Sequence, residues 1–324
     1  MWIRAAHRRS GTRLFAVFVS LLAGITVSVG AVADEAADAS TSRTVKQDSG
    51  KITYWVLPGP RKLDPAVFGT PNEPKMLLKP KIKAAKQGPY PPNVPGLLKD
   101  LPFLAGLPMK ARAEAPDGGW ILKQPNPFSD KARIVSGSFE ARLEDRVASD
   151  QPGPPGKTPD SAEMTAQFTD PVGNDYRVEL DHVVQPPLPG YDTEGGVMID
   201  SVHHGATGTG TPLMPKVDTH AAFWGIGKIF VNGEPKGMRV THMMTTEVVR
   251  DSEYRLVLQD ELPLDSEERQ IADQAHHTHL MVLPIKPVPR KGPTFAPVQT
   301  AFELPNSKNQ PFMHIMYEQD EIVE

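Results

Sequence analysis

The feature that most constrains this chain is a series of short alternating segments, separated by turn signals, that begins near residue 133. "RIVSGSFEARLED" alternates apolar and polar residues, and strands at 162–168 and 176–184 flank the turn "DPVGND". "FWGIGKIFVNG" ends in Asn232-Gly233, a typical hairpin turn, and "MRVTHMMTTEVV" follows it. Many short strands with almost no helix predict an all-β fold, a β-sandwich of jelly-roll or immunoglobulin-like type over residues 131–324.

The region before this domain is dominated by proline, with fifteen prolines between residues 58 and 127. Proline fixes φ and removes a backbone donor, so a long helix or a central strand is excluded there. We therefore predict that residues 51–130 form an extended, mostly irregular segment. Its leucines, among them Leu97, Leu98 and Leu101, need cover, which predicts that the segment packs on the sandwich.

Three further segments of the C-terminal part predict one helix and two strands. "LDSEERQIADQA" is the best helix candidate, because Asp265 and Glu268 match a capping box. "EYRLVLQDEL" and "VQTAFEL" are interpreted as further strands.

The N-terminus has the pattern of an export signal. Four arginines precede the apolar run "LFAVFVSLLAGITVSVG", and "AVA" ends at Ala33, which predicts a signal peptide over residues 1–33. Residues 34–50 are small and polar and predict a disordered leader. We expect an exported protein, periplasmic or secreted, with no transmembrane segment after cleavage.

Composition narrows the possible partners and bonds of the exported chain. There is no cysteine, so the fold contains no disulfide and depends on its core. Without residues 1–33 the chain has 31 basic and 39 acidic residues, a net charge of −8. A net-acidic chain is not expected to bind nucleic acid.

The candidate chemistry lies in a repeated His-x-Met pattern on predicted strands. The three pairs are His242 with Met244, His279 with Met281, and His314 with Met316. Residues i and i+2 share one face of a strand, about 6.6 Å apart, so each imidazole and thioether can reach one ion. His277 shares a face with His279 and extends the middle pair to two histidines and a methionine.

This ligand chemistry favours copper. A thioether is a soft ligand that selects Cu(I), and imidazole binds both copper ions and zinc. Structural zinc sites and blue-copper sites use cysteine, which this chain lacks. The sequence therefore predicts an exported copper-binding protein for copper handling, with copper-dependent redox chemistry as a further possibility.

Two short segments also resemble parts of a known enzyme family. "HTHL" at 277–280 resembles the His-x-His segment of the copper hydroxylating monooxygenases, and "VHHG" at 202–205 resembles their His-His pair. In that family the first segment, with a distant methionine, holds the oxygen-activating copper, and the pair contributes to a second copper. The resemblance implies that His203 and His204 are candidate metal ligands as well.

Three other interpretations of the same residues stay open. The histidines and methionines could be ordinary core residues, since methionine fills irregular gaps. The protein could be a non-catalytic binding or assembly protein of the cell envelope, with the proline-rich segment contacting a partner protein. It could also be a small-molecule hydrolase or lyase with His203 or His204 as the base, presented by the glycine-rich loop that follows.

Overall fold

The structure, a computed structural model, describes residues 40–75, 107, 109–147, 158–184, 196–269, 274–288, 293–302 and 312–323. The predicted signal peptide and the leucines at 97–104 lie outside these ranges. Most of the described chain is β-strand, and the prediction of an all-β fold of the β-sandwich kind is confirmed.

Seventeen strands are formed by the described residues. They are β1 (Thr41–Gln47), β2 (Thr53–Val56), β3 (Gly59–Leu63), β4 (Arg112–Glu114), β5 (Trp120–Asn126), β6 (Ala132–Val135), β7 (Gly137–Asp145), β8 (Ser161–Thr169), β9 (Asp175–Val183), β10 (Val197–His203), β11 (Val217–Val231), β12 (Glu234–Glu247), β13 (His276–Val282), β14 (Ile285–Lys286), β15 (Thr294–Phe295), β16 (Met313–Tyr317) and β17 (Glu321–Val323).

Twelve of these strands form one curled antiparallel sheet. Its hydrogen-bonded order is β17-β1-β7-β8-β9-β11-β12-β13-β16-β2-β6, and β10 pairs with β11 beside this path. Strands β1 and β2 follow each other in the chain, yet β1 pairs with β7 and β17 while β2 pairs with β6 and β16. Between β1 and β2 the chain therefore passes from one end of this strand order to the other.

The concave side of the curled sheet holds a large apolar core. Strand β8 shows the underlying pattern, since its residues alternate strictly between exposed and buried. Trp55 of β2 packs edge-on against Phe168 and Tyr176 in this core, at ring-centroid distances of 5.8 and 5.3 Å. Burial of such alternating apolar faces is what stabilises the sheet.

A second layer covers the other side of strands β11, β12, β13 and β16. It contains the small sheet β3-β5-β4 and the one-turn helix α1 (Pro65–Phe68), which begins at Asp64 as N-cap. Phe68, Leu107 and Leu122 of this layer share one buried cluster with Val240 and Met281 of the large sheet. The described part of the segment 51–130 therefore packs on the large sheet, as predicted.

The N-terminal boundaries differ from the prediction. Residues 41–47 of the predicted disordered leader form β1, and Val45 is fully buried in the core. Residues 53–56, assigned to the irregular segment, form β2 between β16 and β6. Pairing partners from more than 75 residues away therefore decide the structure of both stretches, against their local sequence signals.

Three local predictions also differ from the structure. Asp265 and Glu268 exchange the two capping-box hydrogen bonds, at 3.0 and 2.9 Å, but residues 266–269 form a turn rather than a helix. The predicted strand "EYRLVLQDEL" instead forms one isolated bridge, between Leu256 and Arg250, and a 3₁₀ turn at Gln259–Glu261. In the predicted strand "VQTAFEL", the described residues 298–302 are not in a strand. Within the described ranges, no helix has the length and apolar character needed to cross a membrane.

Candidate functional site

The three His-x-Met pairs lie on three neighbouring strands of the large sheet. β12 pairs with β13, and β13 pairs with β16, all antiparallel. The register sets each histidine opposite a methionine, which produces two rows across the strands: Met244, His279, Met316 and His242, Met281, His314. Histidine and methionine therefore alternate in both directions on one face, which we call the His/Met layer.

This layer is buried between the large sheet and the second layer. All six residues are at least 92 % buried, and His314 and Met316 are completely so. The opposite faces of the same strands point into the apolar core, where Met243, Leu280 and Ile315 pack. Pleating thus separates an apolar face from a face rich in nitrogen and sulfur on the same strands.

Three imidazole rings form a continuous row within the layer. The Nε2 atoms of His277 and His279 are 3.1 Å apart, and Nδ1 of His279 is 3.0 Å from Nε2 of His314. His279 is therefore the middle ring, with both of its nitrogens facing another imidazole. Two ligands bound to one ion at tetrahedral angles, each ~2.0–2.1 Å from it, would be ~3.3 Å apart, close to these spacings.

The two outer rings are anchored by hydrogen-bond acceptors. Nδ1 of His277 lies 3.1 Å from Oε2 of Glu318, and Nδ1 of His314 lies 2.6 Å from the carbonyl oxygen of Pro127. Each Nδ1 must carry a proton to donate to its acceptor. Neutral outer rings therefore present the lone pairs of their Nε2 atoms to His279. The backbone N–H of Val249 donates to Nε2 of His277 at 3.3 Å, which supports this tautomer.

The middle ring cannot satisfy both neighbours while it is neutral. A neutral imidazole has one N–H donor and one acceptor nitrogen. His279 can thus donate to His277 or to His314, and at the other contact two lone pairs face each other. Either the row holds an additional proton, on His279 or on His277 beside the Glu318 carboxylate, or a cation binds between the facing nitrogens.

The surroundings disfavour a second proton on His279 itself. Burial is the largest factor that lowers the pKa of His279 well below its ordinary value, and His277, His314 and Arg250 add to it. Burial likewise lowers the pKa of His314 to about 3, with a contribution from the Arg250 guanidinium. These two rings are therefore neutral near pH 7 and available as ligands.

Glu318 supplies the negative charge of the site. Its side chain is buried and accepts hydrogen bonds from His277 and from the hydroxyl of Tyr254, the latter at 2.8 Å. Burial raises the pKa of this carboxyl, but His277, Tyr254 and Arg250 outweigh it and the pKa is lowered overall. Glu318 is therefore a carboxylate that anchors the row of imidazoles.

His242 belongs to the layer but not to the row. Its ring stacks on Trp224 at a centroid distance of 4.0 Å, and its Nδ1 lies 2.9 Å from the carbonyl oxygen of Phe223. Burial lowers the pKa of His242 to about 3. Met281 lies between His242 and His314 in the register, so a thioether separates these two rings.

The candidates His203 and His204 are buried beside the same layer. Nε2 of His203 lies 3.2 Å from Sδ of Met198, and Nε2 of His204 lies 3.0 Å from Sδ of Met244. The ring centroids of the two histidines are 6.1 Å apart. His204 adopts φ +65°, the left-handed region, which turns the chain from β10 into the following loop.

Among the described residues, no three histidine, aspartate or glutamate side chains converge so as to hold a metal by themselves. The imidazoles form a row instead, in which each pair of facing nitrogens belongs to two rings. His276 is only partly exposed and lies 3.1 Å from the buried carboxylate of Asp320.

Sequence reasoning missed several members of the site. Glu318 could have been found, because it continues the i, i+2, i+4 spacing of His314 and Met316 on one face. Arg250, Tyr254 and Pro127 come from loops, and no local pattern indicates that they contact the layer.

No family profile, no curated protein and no solved structure matches the chain.

Proposed function

We propose that the protein is an exported copper-binding protein that holds the ion in the His/Met layer. His279 is the central ligand, with His277 or His314 as the second nitrogen and with Met244, Met281 or Met316 supplying sulfur. The observation that carries the proposal is the contact of His279 with two imidazoles that both present lone pairs to it. A cation between such nitrogens removes the repulsion that a neutral row would retain.

The ligand types favour copper over other metals. Imidazole nitrogen with thioether sulfur suits Cu(I), while hard cations such as Mg²⁺ and Ca²⁺ prefer oxygen. The low pKa values of His279 and His314 support the same conclusion, because protons do not compete for these nitrogens near neutral pH. Removal of the ligands from water favours an ion whose bonds to them are strongly covalent.

Copper handling is the role that the burial of the layer supports best. A substrate would need access to the metal, whereas His279 and His314 are only 3 % and 0 % exposed. The export signal predicted at residues 1–33 supports a role outside the cytoplasm, in the periplasm or the medium. His203 and His204 are equally buried, so a general-base role for either one receives no support from their positions.

The decisive experiment is a calorimetric titration of residues 34–324 with Cu(I) and with Cu(II). We expect binding tighter than micromolar in the wild-type protein and the loss of one equivalent of each ion in His279→Ala and His279→Gln. His182→Ala is the matched control, because His182 lies on β9 with an exposed side chain. Absence of such binding in folded wild-type protein would overturn the proposal.

The second candidate is a binding or assembly role with an envelope protein partner. The supporting observation is Ile134, which is 70 % exposed on β6, the strand that ends the path of the large sheet. An exposed apolar side chain on an edge strand is a place where another chain can pair. Site-specific crosslinking from position 134 in cells tests this role, and a crosslink that also forms from exposed position 182 would argue against it.

A deletion of residues 34–127 would not distinguish the copper-binding role from the partner-binding role. The deletion would remove β1 and β2, which join the ends of the large sheet. It would also remove the Pro127 carbonyl that anchors His314. Point substitutions are therefore the appropriate tools.

A further inference from the structure

We propose a second position for a soft monovalent ion, Cu(I) in the exported protein, between Nε2 of His204 and Sδ of Met244. This inference extends the proposed function, because it adds an ion-binding position beside the imidazole row. The two atoms are 3.0 Å apart inside the molecule. His203 and Met198 form a parallel nitrogen–sulfur pair at 3.2 Å.

The first argument is the poor hydrogen bonding of His204. Its ring is 95 % buried, and its Nδ1 makes at most a poorly aligned hydrogen bond with the Thr211 backbone, one that falls short of ordinary hydrogen-bond geometry. Its Nε2 faces only a thioether, which is a weak acceptor. A buried polar ring without a strong partner is unusual in a folded protein and points to a missing ligand.

The second argument is that the ring is held in this orientation. The loop after β10 packs directly on His204, and a Cβ atom at Gly210 would lie 2.5 Å from its Nδ1. Gly210 itself has φ +72°, so both its conformation and its contact require glycine. The loop thus covers one edge of the ring and leaves the other edge directed at the sulfur.

The third argument is the chemistry of the pair. One neutral nitrogen and one thioether sulfur favour a soft ion of low charge, whereas the imidazole row can also bind divalent ions. Met244 is the cross-strand neighbour of His279, so the second position adjoins the first across β12 and β13. The protein would then bind more equivalents of Cu(I) or Ag(I) than of Cu(II) or Zn(II).

The test uses Ag(I), a redox-stable probe for Cu(I), on the full exported chain. We expect wild-type protein to bind one more equivalent of Ag(I) than of Cu(II), measured by metal analysis after desalting. His204→Gln should lose that one equivalent and keep Cu(II) binding, and Met244→Leu should lose the same equivalent. The ε-methyl NMR signal of Met244 should shift when Ag(I) is added.

Met243→Leu is the matched control, because Met243 is the next residue of β12, equally buried, but on the opposite face. Leucine conserves volume closely enough for the fold to persist in both variants. Equal Ag(I) binding by wild type, Met244→Leu and His204→Gln would overturn the inference, as would loss of the equivalent in Met243→Leu. A protein that binds Ag(I) through Met244 but no Cu(II) would support this position and refute the imidazole site.

Discussion

The two faces of strands β12, β13 and β16 have the same backbone and nearly the same burial, yet they differ in chemistry. The face toward the concave core carries Met243, Leu280 and Ile315. The other face carries the His/Met layer and ends in a buried carboxylate, Glu318. The second face also packs in an apolar cluster, through Met244 and Met281, but its histidines and Glu318 add buried hydrogen-bonding groups that packing alone does not require.

The comparison also separates two roles of methionine. Met243 and Met313 lie in the apolar core, where a flexible thioether fills space. Met244 has its sulfur at 3.0 Å from an imidazole nitrogen. Burial alone therefore does not distinguish a packing methionine from a candidate ligand, whereas the neighbouring atoms do.

The largest expected effect is the acid sensitivity of the His/Met layer in the metal-free protein. Burial lowers the pKa of His242 and His314 to about 3, while an unfolded histidine titrates near ~6.5. Below pH ~6.5 the unfolded chain therefore binds more protons than the folded chain. The stability due to each neutral ring is fully present above that pH and declines toward pH 3, by about 1.4 kcal/mol per pH unit for each ring.

Urea unfolding followed at several pH values between 8 and 4 measures this slope. His242→Gln should flatten it, whereas His182→Gln, at an exposed position, should leave it unchanged. A slope that is equally steep in His242→Gln would show that the layer is not its source.

The next largest effect is expected on the apolar face. Leu280 is 1 % exposed in the concave core, so Leu280→Ala should lower the free energy of unfolding by about 2–5 kcal/mol. Its copper affinity should remain that of the wild type, because the side chain points away from the layer. Chemical denaturation measures the loss of stability, and copper titration of the same sample measures the affinity. A large loss of copper affinity would contradict the separation of the two faces.

Cu(II), which the second position does not bind, should stabilise the folded protein through the imidazole row. At a free copper concentration ~100 times the Kd, the free energy of unfolding should rise by about 2.7 kcal/mol. His279→Gln should abolish this increase, and Leu280→Ala should retain it. Thermal unfolding with and without copper measures the difference, and an equal increase in His279→Gln would place the ion elsewhere.

The smallest effect, and the sharpest test of the comparison, is a pair of conservative substitutions. The two substitutions are Met281→Leu and Met313→Leu. Met281 lies on the face of the His/Met layer and is 7 % exposed, whereas Met313 lies on the apolar face and is 0 % exposed. Each should change the free energy of unfolding by less than about 1.5 kcal/mol, since volume is conserved. Only Met281→Leu should weaken Cu(I) binding in a competition assay, and equal affinities would assign Met281 to packing.

Much of the fold was predictable from local patterns. The segments around β7, β8, β9, β11 and β12 show period-2 alternation with clear turns, and the structure forms strands there. By contrast, β1 has polar composition, and its place in the sheet depends on pairing with β7 and β17 from distant parts of the chain. The capping-box residues Asp265 and Glu268 form their hydrogen bonds without a helix following over residues 266–269, because a cap alone does not supply an apolar face to bury.

The sequence by itself determined that each histidine shares a strand face with a methionine, because side chains alternate along any strand with a period of two. Only the tertiary structure decided that the three strands are neighbours, in a register that sets His279 between His277 and His314. It also decided that Glu318 and the Pro127 carbonyl fix the tautomers of the outer rings. Pairing between distant strands and contacts from loops set these distances, and neither is encoded in the spacing of residues along one strand.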